Sequence, residues 1–148
     1  MNDVSRFVYV TYIRTTPEKL WDALIAPEFT RQYWYGMHQD CAWTPGAAWK
    51  LIYPDGRVAD SGSVVEIDSP KRLVLSWRHA LRPELNAEGA SRCTIALEPL
   101  EGCVKLTIEH SIDRPESKLI EAVSGGWPQI LSNLKSLLET GTIVVQRH

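Results

Sequence analysis

The feature that most constrains this chain is a long apolar pattern near its C-terminal end. Between Arg114 and Gly141, the residues Leu119, Ile120, Val123, Trp127, Ile130, Leu131, Leu134, Leu137 and Leu138 recur at steps of three and four. That spacing keeps one helical face continuous and predicts a long amphipathic helix. Asp113 as N-cap, Pro115 in the first turn and Glu116 beside it mark the start, and Gly141 marks the stop. A helix of this length needs a broad apolar surface to lie against. Its middle works against it: Gly125 and Gly126 lower helix propensity, while Pro128 removes a backbone donor and disfavours α geometry at Trp127. A kink or break is expected there. It either bends the helix around a curved sheet or makes one wall of a ligand pocket, where glycine backbone and an indole let a ligand approach closely.

The rest of the chain supplies that surface as strands. Phe7 to Arg14 is rich in β-branched and aromatic residues and reads as a strand whose inner face is undecided, because both alternating sets are apolar. In TTPEKLWDALIAP, Thr16 can cap, Pro17 takes the first helical position, and Leu20, Trp21, Leu24 and Ile25 form a stripe, so a short helix ends before Pro27. A second short helix is expected from Pro27 to Trp34, ahead of Gly36. From there to Ile112 no helical period appears, and turn residues divide the chain into strands of a meandering antiparallel sheet. The expected strands are Cys41 to Trp43, Ala48 to Tyr53, Arg57 to Ile67, a stretch from Arg72 containing RLVLSWRHA, Ser91 to Leu97, and Val104 to Ile112. Alternation turns Leu73, Leu75, Trp77 and His79 inward together, and sets His110 among Val104, Leu106, Ile108 and Ile112. Arg82 to Ala90 is polar, lacks a period and reads as a mobile loop. The tail from Thr142 to His148 contains TIVV, which leaves open a frayed end or pairing with a second copy in a homodimer.

Composition narrows the partners. With 148 residues, one domain spanning 1–148 is expected. Net charge is -2 and no run of like charges occurs, which argues against nucleic acid as a partner. The N-terminal stretch lacks the apolar length of a signal or membrane segment, so a cytoplasmic protein with no membrane partner is expected. Cys41, Cys93 and Cys103 form no CxxC pair, which speaks against a disulfide framework or a zinc site and for reduced thiols. Six tryptophans in so short a chain suit either a core or a cavity lining, since each indole fills a large volume but keeps an N–H that wants a partner.

In this order the chain resembles the SRPBCC or START-like helix-grip superfamily, and within it the group related to the C-terminal domain of the activator of heat-shock protein 90 ATPase. The matching pieces are TTPEKLWDALIAPE, YPDGRVADSGSVVEIDSPKRLVLSW, LTIEHS and GGWPQILSNLKSLLETG, which run from about Arg6 to Gly141. The resemblance implies an α+β helix-grip (START-like, Bet v-like) fold: a strand, two short helices, about six strands in an antiparallel meander, and the long helix packed across the curved sheet. It also implies a deep cavity between sheet and helix, which in many relatives holds an apolar ligand. No single reaction is implied, because the superfamily includes lipid carriers, hormone receptors and polyketide cyclases. Eukaryotic chaperone activators carry a separate N-terminal domain that engages the chaperone, and this chain has no room for one, so a chaperone partner is not expected.

The candidate cavity residues are Tyr33, Trp34, His38, Trp77, His79, His110, Trp127 and Leu131. His110 is singled out because it is either a buried histidine satisfied by a neighbour or an imidazole inside the cavity near physiological pH, where its protonation would weaken apolar ligand binding. No metal or other cofactor is expected: the four histidines are far apart, and no nucleophile, phosphate-loop or dinucleotide signature is present. No catalytic residue is assigned. Three classes of function follow: a binder of a small apolar or aromatic molecule in a cavity on the order of 300 to 1,000 Å³, a chaperone-related or regulatory interaction module, and a cyclase, dehydratase or hydrolase working in the same cavity.

Overall fold

In the computed structural model, which describes residues 4–146, the chain runs β1 (Ser5–Ile13), α1 (Pro17–Ile25), α2 (Pro27–Tyr33), β2 (His38–Cys41), β3 (Ala48–Ile52), β4 (Val58–Asp68), β5 (Arg72–His79), α3 (Pro83–Asn86), β6 (Ser91–Leu100), β7 (Cys103–Ile112) and α4 (Lys118–Thr140). The strands form one antiparallel sheet of seven in the order β1-β7-β6-β5-β4-β3-β2. This is the α+β helix-grip arrangement, with α4 against the inner face of the sheet. In β1 the undecided face is settled: Phe7 and Tyr9 pack toward the core and Ile13 is buried, while Val8, Val10 and Tyr12 stay exposed on the other side. The inner layer of β5, β6 and β7 is apolar, with Leu75, Cys93, Leu106 and Ile108 buried beneath the helix.

One close approach sets the middle of the sheet. At Gly62 on β4 a Cβ would lie 1.7 Å from the carbonyl oxygen of Ser76, so only glycine fits there. Gly62 stands in register with Trp49 on β3 and Trp77 on β5, whose rings meet at 4.4 Å.

Two sequence-based expectations are corrected, and two readings left open are narrowed. Of the kink or break expected at GGWP, the break does not occur: α4 is continuous from Lys118 to Thr140 with Pro128 inside it. An interior proline costs about 3 kcal/mol. Against that, Leu119, Ile120, Trp127, Ile130, Leu131 and Leu134 are all buried, and each such side chain contributes roughly 1.5 to 3 kcal/mol, so packing outweighs local propensity. The helix begins later than expected, because Ser117 rather than Asp113 is its N-cap and accepts a hydrogen bond from the Ile120 amide at 3.1 Å. Residues 82–90 are not a free loop. Leu85 of α3 is buried, and Glu88 accepts hydrogen bonds from the Ser117 hydroxyl and the Lys118 amide, fastening this segment to the start of α4.

The tail, left open between a frayed end and pairing with a second copy, forms no strand among the described residues beyond Gly141. The chain instead turns back along α4 and is held by Asn133, which is fully buried. Its Oδ1 accepts from the amides of Val144 (2.9 Å) and Val145 (2.7 Å), and its Nδ2 donates to the Val145 carbonyl at 2.8 Å. Arg147 and His148 lie outside the described residues. Among the described residues, no helix is long and apolar enough to cross a membrane.

Candidate functional site

Between the N-terminal half of α4 and strands β3 to β5 lies a cavity of about 230 Å³ that is open to solvent. The helix contributes Leu119, Ala122, Val123, Gly126, Trp127 and Ile130; the sheet side contributes Leu51, Tyr53, Ala59, Asp60, Trp77 and His79; Trp34 and Met37, after α2, close one end. Gly126 matters here because a Cβ added to it would have no atom within 4 Å, so its bareness leaves room rather than relieving a clash. Trp34, Trp77 and Trp127 form one aromatic cluster, with centroids 5.5 Å apart for Trp34 and Trp127 and 5.7 Å for Trp77 and Trp127.

Of the residues expected at a cavity, the structure brings Trp34, Trp77, His79 and Trp127 to this one. Tyr33, His38, His110 and Leu131 are not among its lining residues. Tyr33 is 1% exposed, stacks on Trp34 and points its hydroxyl at the Leu24 carbonyl. Leu131 packs in the core, and His38 opens β2 at the far edge strand.

His110 lies under Trp127, not beside a ligand space. The Trp127 indole N–H donates to its Nδ1 at 3.2 Å, and its Nε2 lies 2.8 Å from Ser91 Oγ, whose own proton goes to the Trp77 carbonyl at 2.7 Å. The ring is therefore neutral with its proton on Nε2, and each nitrogen has a partner. Burial pushes its pKa down to about 4, so it stays neutral through the ordinary histidine range. His79 differs. Its Nδ1 accepts from the amides of Leu81 (3.3 Å) and Arg82 (3.1 Å), and burial, then the Arg82 charge, hold its pKa below the usual histidine value.

The residue that sequence reasoning missed is Asp60. It is only 9% exposed, it lines the cavity, and its Oδ1 has no hydrogen-bond partner among the described residues. Burial raises its pKa to about 7 against the opposing hydrogen bond from the Trp77 side chain. Its neighbours in register are Leu51 on β3 and His79 on β5. Among the described residues, no group of three or more His, Cys, Asp or Glu is placed to hold a metal ion.

Comparison with known proteins adds the family. The model of a family described as Activator of Hsp90 ATPase homolog 1-like protein matches residues 14–139. No match is found among curated proteins. Among solved structures, protein MLL2253 from Mesorhizobium loti is 27% identical, with a TM-score of 0.78 over 91% of this chain and 97% of that one. The Aha1 dimer from Colwellia psychrerythraea is 18% identical with a TM-score of 0.74 over 93% and 98% of the two chains. PFC0360w, an HSP90 activator from Plasmodium falciparum, is 22% identical with a TM-score of 0.73 over 90% and 95%.

Proposed function

The chain belongs to the Activator of Hsp90 ATPase homolog 1-like family, and we propose that within it this protein binds a small apolar or aromatic molecule between α4 and strands β3 to β5. The observation that carries this reading is the cavity of about 230 Å³ walled by Trp34, Trp77 and Trp127, into which Gly126 puts no side chain. It is smaller than the space on the order of 300 to 1,000 Å³ expected for a binder of drug-sized molecules. An apolar cavity of about 150 Å³ already accepts benzene, so one ring with a short substituent suits this one. The free thiols of Cys41, Cys93 and Cys103 support a reducing, cytoplasmic location for such a binder.

The test is a titration with ethylbenzene, followed by tryptophan fluorescence and by amide chemical shifts. Saturable one-to-one binding is expected, with the shifts centred on Trp77, Gly126 and Trp127, and it should be lost in Gly126→Leu. An absence of saturable change in the wild-type protein would overturn the reading. A second reading, that the protein acts on a chaperone, is favoured by the family itself and by the likeness to an HSP90 activator. Stimulation of a purified Hsp90 ATPase by stoichiometric amounts of this protein would establish it. Sedimentation in the same preparation decides self-association, which the likeness to a dimeric Aha1 suggests.

A further inference from the structure

A carboxylate that is nine-tenths buried and leaves one oxygen without a partner is an expensive arrangement in a folded protein. His79, its partner across the strand pair, accepts from two backbone amides of the following turn on Nδ1, which leaves Nε2–H as its ring donor, and it makes no hydrogen bond to Asp60. The nearby Trp77 side chain opposes the effect of burial on the carboxylate only in part. No lysine or arginine lines the cavity. The site therefore has an acceptor, a negative charge when ionised, and three indoles around it, and it lacks the group that would complete them.

We infer that the molecule held in this cavity carries a protonated amine that pairs with the Asp60 carboxylate, with its organic body against Trp34, Trp77 and Trp127. The inference rests on the cavity being the binding site. A neutral hydroxyl would also fill the hydrogen bond, but only a cation offsets the charge of a buried carboxylate. Indole faces carry negative potential, so they attract the same cation and add to the preference. A carboxylic acid or phosphate ligand is disfavoured, because it would bring a second negative charge against Asp60 with no cation lining the cavity.

Acidity gives an independent signature. An ammonium ligand binds the ionised carboxylate, so its affinity rises with pH as Asp60 loses its proton. The other titratable or charged groups facing this region are His79 on β5, with Arg82 and Glu84 beside it. Tyr53 lies on the β3 side with Arg57 over its ring, and His110 lies behind Trp77 and Trp127. His110 remains neutral above about pH 4, and α4 brings no titratable side chain to the cavity. Asp60 and His79 are therefore the groups whose ionisation a bound cation would read between pH 5.5 and 8, and the part of the pH dependence lost in Asp60→Asn belongs to Asp60.

Three probes that share a ring and a two-carbon chain separate the possibilities: 2-phenylethylamine, 2-phenylethanol and ethylbenzene, titrated calorimetrically into the wild-type protein and Asp60→Asn. At pH 8 the amine should bind about tenfold or more tightly than the alcohol. Asp60→Asn should weaken amine binding by about tenfold relative to any change it makes in ethylbenzene binding. In the wild-type protein, amine affinity should fall about tenfold from pH 8 to 5.5, a range in which an alkylamine stays protonated, and the two neutral probes should not follow. If the alcohol or ethylbenzene binds as tightly as the amine, or the amine shows no pH dependence, the charge assignment falls while the binding reading stands. If none of the three binds, both fall.

Discussion

The region around His110 and the region around Asp60 lie under the same helix, and each contains a buried ionisable group beside a tryptophan. They differ in what happens to the remaining polar atoms. His110 passes its second nitrogen to Ser91, and Ser91 passes its proton to a backbone carbonyl, so the set is closed. Asp60 keeps Oδ1 buried and without a partner, in a residue that lines a solvent-connected cavity. A closed polar set inside apolar packing stabilises one arrangement of the core, whereas an open one costs stability unless something else completes it. Burial alone does not distinguish these two groups; the count of satisfied atoms does.

The largest test of this contrast is Trp127→Ala, because Trp127 is the side chain common to both regions: 4% exposed, bonded to His110 on one side and lining the cavity on the other. Its removal should cost about 3 to 5 kcal/mol, comparable with Leu134→Ala in the closed core at about 2 to 5, as read by urea unfolding. A loss under about 1 kcal/mol would mean that the indole caps a space already wet and does not roof His110.

A smaller effect sharpens the contrast through the sign of its pH dependence. His110 has a folded pKa of about 4 against 6.5, so the unfolded chain binds the proton first and stability is lost as pH falls through that window. Asp60 has a folded pKa of about 7 against 3.8, so the native state holds the proton longer and stability is lost as pH rises between those values. The two slopes oppose each other between about pH 4 and 6.5. Asp60→Asn should expose the rising slope and be more stable than wild type at pH 8, by on the order of 2 kcal/mol. His110→Gln should expose the falling slope. An Asp60→Asn protein less stable than wild type at pH 8 would show that the carboxylate is satisfied.

The smallest effect compares two adjacent glycines. Neither Gly125 nor Gly126 would seat a Cβ against any atom within 4 Å, so alanine at either should stabilise α4 by about 0.5 to 1 kcal/mol in thermal melts. Only Gly126 lines the cavity, so only Gly126→Ala should weaken ethylbenzene binding. Equal binding in both variants would move the ligand away from α4.

These residues also mark how far the sequence could be read. The face of α4 and the inward side of β5 and β7 were legible, because burial imposes periods of about 3.6 and 2 that survive in the choice of residues. The continuous helix through Pro128 was not, since local propensity argues for a break and only the mass of buried side chains overrules it. His110 could be placed inside by alternation, but its roof depends on the rotation of a helix that follows it in the chain. Asp60 was hidden for a different reason. Counting back from the turn at Asp68 to Arg72 sets Ser61 opposite His79 and turns Asp60 outward, but the register shifts by one between Val64 and Glu66, and this bulge swaps the faces of the strand beyond it. A single unpaired residue thus moved a carboxylate from solvent into the cavity. Glu88 and Leu85 were missed because their contacts are with distant segments.

Asn133 has a consequence for hydrogen exchange. The amides of Val144 and Val145 lie in a stretch without regular structure, where exchange would ordinarily be fast, yet both donate to a fully buried side chain in the middle of α4. Their protons are released only when that side chain is uncovered. Two amides outside every helix and strand therefore report how often the end of the chain lifts off the helix, as slow clocks on a motion that the exchange of the helix's own amides does not register.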